Sequence, residues 1–381
     1  MNELNDIRRE IDSIDTQIVD LFKRRMDCAD KVAKYKQAHG LPVLDRSRER
    51  ELLAHRGSQV PEDLRSYARA LFQLLMEASR ARQGKLMGRR SEVVAKVSSA
   101  LAESPALFPP EALVACQGVE GAYQQIATDR MFKHAIISYF GTFDEVFRAV
   151  EERSCSYGVV PIENSTAGSV TRVFDLMMEH SFHIARTCRL KIDHNLLARP
   201  GGTLESIRHV YSHEQAISQC GKFLRSLGNV SVHACENTAM ASRMVAESPR
   251  DDVAAIASRS CADLYGLDVL QRSVQDQDNN YTRFACIAKD LTIFPGADRS
   301  TFMIVVPHEP GALYKILGKI YDLGINIIKL ESRPIPDRNF EFMFYFDVDC
   351  PVAAPEFATL VGSLEEECEE FRYLGSYSEV I

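Results

Sequence analysis

Residues 157–170 read YGVVPIENSTAGSV, an apolar run that passes without a break into polar residues. The apolar part, Tyr157–Ile162, has the length and composition of a buried strand. Five polar side chains follow it: Glu163, Asn164, Ser165, Thr166 and Ser169. Because ligands of open α/β sheets bind beyond the carboxyl ends of the strands, this stretch predicts an α/β domain with a polar cleft.

Short apolar runs alternate with helical periods over residues 113–290, the predicted extent of this α/β domain. Its other predicted strands are Leu113–Cys116, Ala135–Tyr139, Ile207–Tyr211, Val230–Cys235, Val253–Ala257 and Phe284–Ala288. Polar clusters flank three of them: Ser212–Gln215, Glu236–Thr238 and Asn280–Arg283. Helix capping explains any one cluster equally well, but four of them at strand ends favour a cleft. No Gly-x-Gly-x-x-Gly follows a strand, which argues against a nicotinamide-binding unit.

The N-terminal residues 1–84 show helical periodicity and no strand pattern. Apolar residues recur in steps of three and four along a first long helix: Leu4, Ile7, Ile11, Ile14, Ile18 and Leu21. Gly40 and Pro42 end this helix, and Asp45 is the expected N-cap of a short charged helix that runs to about Gly57. Pro61 begins a third helix. An all-α domain is predicted here.

Polar residues interrupt the apolar faces of these helices. Lys36 follows Arg25 by eleven residues, about 20° around an α-helix, so both lie on one face. Asp45, Arg48 and Glu49 cluster at the start of the second helix, and Ser79 and Gln83 share a face of the third. Arg48 alone is best explained as a solvated charge, but the whole set indicates a site for a polar anion.

Arg8 precedes Arg25 by roughly 25 Å along the helix axis and lies about 100° away around it. One straight helix therefore cannot present both side chains to one small ligand. If both bind the same ligand, Arg8 comes from a second chain, and the protein is a homodimer or a higher homo-oligomer.

Residues 85–112, with the basic pair Arg89-Arg90 and Pro109-Pro110, are predicted to form a partly helical linker. The last segment, residues 299–381, has the order strand, helix, strand, strand, helix, strand of a ferredoxin-like α+β module. Its predicted elements are Thr301–Val306, Gly311–Leu323, Asn326–Pro334, Phe340–Val348, Pro355–Cys368 and Phe371–Val380.

The net charge of −8 argues against a nucleic-acid partner, and the sequence contains no apolar run long enough to span a membrane. None of the ten cysteines forms a Cys-x-x-Cys pair, so reduced thiols are expected and a metal site is not. The first residues lack the pattern of a signal peptide, and we expect a cytoplasmic protein.

Residues 1–84 resemble the all-helical chorismate mutase family. The resemblance rests on the strings IRRE (7–10), KRR (23–25), KYK (34–36), DRSRERELL (45–53) and FQLLMEAS (72–79), followed by Gln83. It implies that Arg8 and Arg25 bind the two carboxylates of chorismate. Lys36 and Gln83 would face the ether oxygen, and Glu49 with Arg48 the ring hydroxyl and the neighbouring carboxylate. Asp45 and Ser79 would complete the site.

Residues 113–290 are similar to prephenate dehydratase, above all in the string PIENSTAGSV (161–170) and in Thr282-Arg283-Phe284. The resemblance implies that the Thr282 hydroxyl is catalytic and that Arg283 binds a carboxylate of prephenate. The other residues implied in the substrate pocket are Asn164, Ser165, Thr166, Ser212, Gln219 and Glu236.

The C-terminal module resembles the amino-acid-binding ACT regulatory domain in Pro310–Leu313 and Glu331–Pro334. This resemblance implies allosteric binding of L-phenylalanine by Gly311, Ala312, Leu313, Glu331, Ser332, Arg333 and Pro334. Together the three resemblances imply a bifunctional enzyme of phenylalanine biosynthesis that needs no cofactor. The alternatives are a non-catalytic, two-lobed ligand-sensing protein and a mutase–dehydrogenase, which the missing glycine fingerprint disfavours.

Overall fold

The computed structural model describes residues 2–87, 91–336, 338 and 341–381. The chain divides into two compact units, Met1–Ser91 and Glu92–Ile381. The basic pair Arg89-Arg90 and the predicted strand start at Phe340 lie outside the described residues. Within the described ranges, no helix is both long enough and apolar enough to cross a membrane.

The first unit is helical, as predicted. Its elements are α1 (Asn2–Ala38), α2 (Arg46–Gly57), a 3-10 turn (Glu62–Leu64) and α3 (Arg65–Leu86). Gly40 has a φ of +64°, a left-handed conformation that favours glycine, just after the end of α1. The side chain of Asp45 accepts a hydrogen bond from the Arg48 amide and caps α2.

The apolar core of the helical unit lies between α3 and the C-terminal half of α1. Met26, Ala29 and Ala33 of α1 are buried there together with Met76 of α3. In contrast, the apolar residues along the N-terminal half of α1 are about half exposed in the single chain. They are Leu4, Ile7, Ile11, Ile14, Ile18 and Leu21, with exposures from 48% to 58%.

The second unit begins with α4 (Glu92–Glu103), a helix inside the predicted linker. Its buried residues Val97 and Ala100 pack into the core of the C-terminal module. Two lobes follow, each built on one sheet.

The first lobe contains a seven-stranded sheet with the strand order β16-β5-β11-β3-β1-β2 and with β4 paired to β3. Its strands are β1 (Glu111–Gln117), β2 (His134–Phe140), β3 (Tyr157–Asn164), β4 (Gly168–Ser169), β5 (His183–Lys191), β11 (Tyr281–Ala288) and β16 (Glu379–Val380). Helices α5 (Tyr123–Met131), α6 (Phe143–Glu151) and α7 (Thr171–Glu179) belong to it. Strand β11 runs antiparallel to both β3 and β5, in the middle of the sheet.

The second lobe contains a five-stranded sheet of order β10-β6-β9-β7-β8. Its strands are β6 (Asn195–Ala198), β7 (His209–His213), β8 (Ser231–Cys235), β9 (Val253–Ala257) and β10 (Asp268–Gln271). Its helices are α8 (Glu214–Gln219), α9 (Gly221–Ser226), α10 (Thr238–Glu247) and α11 (Arg259–Tyr265). The chain passes between the lobes twice, from β5 to β6 and from β10 to β11.

The C-terminal module has the predicted βαββαβ order, with a four-stranded sheet of order β13-β14-β12-β15. Its elements are β12 (Arg299–Val305), α12 (Ala312–Asp322), β13 (Asn326–Pro334), β14 (Phe342–Asp349), α13 (Pro355–Glu367) and β15 (Glu370–Tyr377). The chain then returns to the first lobe as β16, parallel to β5. One sheet face of the first lobe shares a core with this module, where Ala285 and Ile287 join Met303 and Tyr345.

Candidate active sites

In the helical unit, the side chain of Arg25 on α1 reaches α3. Its guanidinium donates hydrogen bonds to the Ser79 hydroxyl and to the Leu75 carbonyl. Partial burial lowers the pKa of Arg25 below the ordinary arginine value. Two of the predicted residues, Arg25 and Ser79, are therefore in direct contact.

Two more predicted residues lie near the start of α2. The Asp45 carboxylate accepts hydrogen bonds from the Arg48 amide at 3.1 Å and from the Ser47 hydroxyl at 2.8 Å. These bonds, the one from Arg48 first, lower the pKa of Asp45, and the charge of Lys36 acts in the same direction. The Lys36 ammonium donates to the Val43 carbonyl at 2.5 Å. The Lys36 ammonium at the end of α1 therefore lies close enough to the Asp45 carboxylate, the N-cap of α2, to stabilise its charge.

Glu49 forms a partly buried ion pair with Arg80 of α3. Arg80 was absent from the predicted set. It stands three residues before Gln83, so the spacing on α3 was the signal that placed it on the same face.

Gln83 is a buried amide, with 7% of its surface exposed. Its Oε1 atom has no hydrogen-bond partner among the residues that the structure describes. Buried polar atoms in folded proteins are normally hydrogen-bonded, so this oxygen is an exception on the face of α3 that also carries Ser79.

Arg8 and Arg48 do not join these residues within one chain. Arg8 is exposed on the continuous helix α1, roughly 25 Å along the axis from Arg25. The Arg48 side chain is 71% exposed and lies 3.9 Å from Glu51 of its own helix.

In the two-lobed domain, Thr282 lies inside β11 and not before the strand, because the strand begins at Tyr281. Its cross-strand partner is Asn164, the last residue of β3. The Asn164 Nδ2 atom lies 2.9 Å from the Thr282 hydroxyl and 2.7 Å from Oδ1 of Asn280. All three side chains are buried.

Backbone amides fix the orientation of the Asn164 side chain. The amides of Thr166 and Ala167 lie 3.0 and 2.9 Å from one side-chain atom of Asn164. Backbone N–H groups only donate, so that atom is the carbonyl oxygen and the other is the NH2 group. The Asn164 amide therefore donates to Thr282, and the Thr282 oxygen accepts. The hydroxyl hydrogen of Thr282 is left to point elsewhere.

The hydrogen bond from Asn164 to Asn280 is the first of a closed ring, in which each side chain donates to the next. Asn280 Nδ2 donates to Gln219 Oε1 at 2.9 Å, and Gln219 Nε2 donates to the Thr166 hydroxyl at 2.9 Å. The Thr166 hydroxyl then donates to Asn164 Oδ1 at 2.7 Å, which closes the ring. Gln219 comes from the second lobe and Asn164 from the first, so the ring joins the two lobes.

His194 was not predicted from the sequence, yet it contacts this ring. Its Nε2 lies 3.0 Å from Gln219 Oε1 and therefore carries the hydrogen, and its Nδ1 lies 3.4 Å from the Tyr123 hydroxyl. Burial lowers the pKa of His194 below the ordinary imidazole value, so the His194 imidazole is neutral at neutral pH. A single His that follows β5 gave no sequence signal, because its partners are distant in the chain.

The other three predicted pocket residues differ in burial and in their hydrogen-bond partners. The Ser165 hydroxyl donates to the Asn279 carbonyl at 2.6 Å and lies at the surface. Ser212 is fully buried, and its hydroxyl donates to the Ile256 carbonyl at 2.6 Å. Glu236 is exposed just after β8. Of these three, none joins the ring around Thr282.

Arg283 and Thr282 point to opposite faces of the sheet. Successive residues of a strand point to opposite faces, and Phe284 and Cys286 share a core with Ala127 of α5 on the Thr282 side. The Arg283 side chain is 6% exposed and pairs with protein carboxylates, among them Glu163 at 3.3 Å. The resemblance assigned Arg283 to a substrate carboxylate; the structure instead gives it partners within the protein.

In the C-terminal module, Gly311 precedes α12 with a φ of +85° and is the N-cap of that helix. Ala312 is buried and Leu313 partly buried in its first turn. On β13, Glu331 accepts a hydrogen bond from Ser169 at 2.5 Å and Arg333 pairs with Asp175 at 2.9 Å. Ser332 and Pro334, which alternate with them, are exposed.

Three sequence-family models match the chain in succession. They are chorismate mutase type II over residues 7–84, prephenate dehydratase over residues 114–292 and the ACT domain over residues 300–365.

Full-length relatives carry the same combination. The bifunctional chorismate mutase/prephenate dehydratase of Aquifex aeolicus is 30% identical over 402 residues, which cover 100% of this chain and 99% of the relative. The protein of the same description from Escherichia coli strain K12 is 32% identical over 385 residues, covering 99% and 96%. This chain belongs to the bifunctional chorismate mutase/prephenate dehydratase family.

Family membership decides between the alternatives that the sequence left open. A chorismate mutase/prephenate dehydratase is an enzyme with an isomerase and a lyase activity, not a non-catalytic sensor. The predicted fold class is confirmed as well: a helical mutase domain, a two-lobed α/β dehydratase domain and a C-terminal ACT domain. The substrates are small molecules.

Solved structures similar to this chorismate mutase/prephenate dehydratase cover 70% of its chain. One is a prephenate dehydratase from Arthrobacter aurescens in complex with L-Phe, 27% identical, with a TM-score of 0.63 and 90% of that chain covered. Another is GqqA, described as a novel type of quorum quenching acylase, which is 31% identical with a TM-score of 0.64 and 97% of its chain covered.

Proposed function

We propose that this enzyme makes phenylpyruvate from chorismate at two separate sites, that it is a homodimer, and that L-phenylalanine bound to the C-terminal module inhibits it. The observation that carries the dehydratase part is the directed hydrogen bond from Asn164 to Thr282, which leaves the threonine hydroxyl as a donor. Purified protein given chorismate should release phenylpyruvate without an added cofactor. Accumulation of prephenate alone would refute the second activity.

The mutase reaction breaks a C–O bond while a C–C bond forms, so negative charge develops on the ether oxygen. No nucleophile or proton transfer is required. Fixed donors aimed at that oxygen and clamps on the two carboxylates lower the barrier. Lys36 and Gln83 are the proposed donors, and Gln83 is buried one helical turn after Ser79, the residue that holds Arg25. Arg25, held by Ser79, is the proposed clamp on one carboxylate.

The other carboxylate is assigned to Arg8 of a second chain. Two observations support a dimer: the roughly 25 Å between Arg8 and Arg25 on one helix, and the half-exposed apolar face of α1 from Leu4 to Leu21. An apolar face of that length is rarely left in water. A second copy of the helical unit that packs on it would bury it and would supply Arg8. Arg48, exposed in one chain, would complete the same site together with Glu49 and Asp45.

In the dehydratase reaction, the bond from the ring to its hydroxyl breaks while the ring carboxylate leaves as carbon dioxide. The electron pair of the broken C–C bond enters the ring and makes it aromatic, and the hydroxyl leaves as water once it gains a proton. A donor on the departing hydroxyl therefore lowers the barrier. Thr282 is the proposed donor; a threonine hydroxyl is too weak an acid to transfer its proton fully, so it acts through a hydrogen bond while Asn164 of the polar ring holds its oxygen.

The remaining predicted residues are proposed at the rim of this cleft. Ser165 and Glu236 are exposed, so substrate could reach them, although the Ser165 hydroxyl is also bonded to the Asn279 carbonyl, whereas the Ser212 hydroxyl is held by the Ile256 carbonyl. Gln219 and Thr166 hold the ring closed.

Feedback inhibition is proposed from the ACT domain and from the L-Phe complex of the Arthrobacter dehydratase. The ligand carboxylate would meet the amides at the start of α12, from Gly311 to Leu313, because a helix N-terminus favours anions. Residues of Glu331–Pro334 would complete the pocket. Inhibition requires that phenylalanine bind the less active conformation more tightly.

We also propose a cytoplasmic location. All ten cysteines lie in the described part of the chain and all are free, which fits a reducing compartment. Fractionation of cells that express a tagged full chain would test it.

A further inference from the structure

A cluster of buried charges joins the dehydratase sheet to the C-terminal module, directly behind Thr282. At its centre, the guanidinium of Arg283 forms ion pairs with Glu163 of β3, with Asp347 of β14 and with Glu379 of β16. The side chains of Arg283, Asp347 and Glu379 are 6%, 7% and 5% exposed. Charges this deeply buried persist only when they are paired.

Asp347 is the member of this cluster that the C-terminal module contributes, from its interior strand β14. Its Oδ1 accepts hydrogen bonds from the Thr301 hydroxyl at 2.7 Å and from the Tyr377 hydroxyl at 2.6 Å, while its Oδ2 pairs with Arg283. The carboxylate is thus held from its own module and presents one oxygen to the dehydratase strand. Burial by itself opposes the charge of Arg283, but Tyr377, Asp347 and Glu163 outweigh it and raise the pKa of Arg283 above its ordinary value.

The cluster also reaches the strand proposed to bind phenylalanine. Lys329 of β13 is the cross-strand neighbour of Asp347. Its ammonium lies 2.8 Å from Glu163 and 2.8 Å from the Ser169 hydroxyl, and Ser169 in turn donates to Glu331. A continuous set of contacts therefore runs from Glu331 through Lys329 and Glu163 to Arg283.

Arg283 is the residue next to Thr282, and Glu163 is the residue next to Asn164, in paired strands. The side chains of Thr282 and Asn164 lie on the side of the polar ring, and those of Arg283 and Glu163 face the C-terminal module. Arg283 is buried and held by three carboxylates, so little room is left for its side chain to absorb a change in Asp347 without a shift of β11, the strand that also sets the position of the Thr282 hydroxyl.

We propose that Asp347 is a positioning residue for the dehydration reaction: through Arg283 it fixes β11 so that Thr282 meets the departing hydroxyl, and it links that hydroxyl to the sensing strand β13. The proposal rests on the proposed role of Thr282. It assigns to a residue of the C-terminal module, outside the cleft, a share in the chemistry.

Asp347→Asn in the full chain tests this, because the amide keeps the size of the side chain and removes its charge. The matched control is Asp349→Asn, two residues further along β14 at an exposed position. We expect Asp347→Asn to lower the dehydratase kcat by roughly 2- to 30-fold, the range of coupling effects from residues that touch no ligand. The KM for prephenate should stay within about twofold, and the phenylalanine concentration that halves activity should shift. Asp349→Asn should change none of these.

The mutase activity and the unfolding temperature of each variant are measured as well, and values close to those of the wild type show that the variant folds. If Asp347→Asn does not fold, Tyr377→Phe replaces it, since that variant keeps every charge and removes the hydrogen bonds of the Tyr377 hydroxyl to Asp347, Arg283 and Thr301. A smaller fall in kcat is then expected in the same direction. Dehydratase kcat equal to that of the control in whichever variant folds overturns the proposal.

Arg283→Lys separates the proposal from the assignment that the resemblance implied. If Arg283 binds a substrate carboxylate, this variant raises the KM for prephenate and Asp347→Asn is silent, which overturns the proposal. If Arg283 positions β11, both variants lower kcat. Thr282→Ala is measured alongside: full dehydratase activity in that variant removes the proposed role of Thr282, whereas its loss together with a silent Asp347→Asn removes only the role of Asp347.

Discussion

Asn164 donates a hydrogen bond to Thr282 across the antiparallel strands β3 and β11, with 2.9 Å between Nδ2 and Oγ1. The backbone amides of Thr166 and Ala167 hold the Asn164 carbonyl on the other side, so the donor cannot turn away. A threonine hydroxyl that accepts one hydrogen bond keeps its own hydrogen for another partner. This relationship sets the orientation on which the proposed dehydration depends.

The first prediction concerns this pair. Asn164→Asp preserves the shape of the side chain but offers an oxygen where the NH2 group was, so the Thr282 hydroxyl would donate to it and turn from the cleft. Dehydratase kcat should fall by roughly 10²- to 10³-fold in Asn164→Asp and in Thr282→Ala, the usual cost of one transition-state donor. Steady-state kinetics with prephenate measure it. Mutase activity should be unchanged, and its loss in the same chain would indicate misfolding.

The second prediction concerns Gln83. An amide donates a hydrogen bond at every ordinary pH, whereas a glutamate must be protonated to do so. Wild-type mutase activity should therefore be flat around neutrality, and Gln83→Glu should be active only at acid pH. Rates at pH 5 and pH 8 decide it, with dehydratase activity as the control. Equal rates at both pH values would show that Gln83 is not the donor to the ether oxygen.

The third prediction concerns the second chain in the mutase site. Full-length Arg8→Ala and Arg25→Ala should each be inactive as mutases, because every site in either homodimer lacks one carboxylate clamp. Mixed heterodimers should regain one complete site in two. Unfolding and refolding the two variants together, followed by a mutase assay, tests this. Activity no higher than that of the separate variants would place Arg8 and Arg25 in the same chain's site or outside it.

The fourth prediction concerns His194. Its pKa is lowered in the folded protein, whereas an unfolded imidazole titrates near ~6.5. The unfolded state therefore binds more protons as the pH falls below ~6.5, and the free energy of unfolding decreases until the folded pKa is passed. His194→Gln keeps a donor to Gln219 without the titration, so its unfolding temperature should fall less than that of the wild type between pH 7 and pH 5.

Comparing His194→Gln with His194→Leu shows whether His194 acts through its hydrogen bond to Gln219 or only by filling space. His194→Leu leaves Gln219 without this donor and should lower dehydratase kcat more than His194→Gln does. A buried polar group left unpaired costs about 1–3 kcal/mol, so the leucine variant should also be less stable. Equal kcat for the two variants would mean that His194 does not orient the ring.

The fifth prediction concerns phenylalanine. Gly311 has a left-handed backbone with a φ of +85°, and no atom lies within 4 Å of the place where a Cβ would be added. Gly311→Val therefore acts through backbone strain and not through crowding, since a β-branched residue avoids this conformation. Calorimetric titration should show phenylalanine binding lost while basal dehydratase activity is kept. The matched control is Gly318→Val, in the middle of the same helix and also without close neighbours; unchanged binding in Gly311→Val would place the ligand elsewhere.

Much of the fold was readable from the sequence, because local periodicity and turn residues determine where elements begin and end. The strands Val253–Ala257 and Asn326–Pro334 have the predicted bounds. The strand that carries Thr282 begins at Tyr281, three residues earlier than predicted, because β3 and β5 on either side supply hydrogen bonds to residues that alone look like a turn.

The roles of the candidate site residues remain predictions. The sequence identified them in two ways, as polar residues at the ends of predicted strands and as residues that match the motifs of a known family. It gave Asn164, Thr166 and Gln219, which the folded chain joins in one ring with Asn280, and Thr282, which accepts a hydrogen bond from Asn164 of that ring. It did not give His194 or Arg80, because the partners that make these residues significant lie 25 and 31 positions away in the chain.

The sequence by itself determined the order of the three domains, their fold classes and the chemistry to which their motifs belong. The tertiary structure decided in which direction each polar side chain points and which partner it meets. Thr282 and Arg283 are neighbours in one motif, but successive strand residues point to opposite faces, so the first contacts Asn164 and the second pairs with Asp347 of the C-terminal module and with two further carboxylates. That division depends on which surface covers each face of β11, and no local pattern in the sequence specifies it.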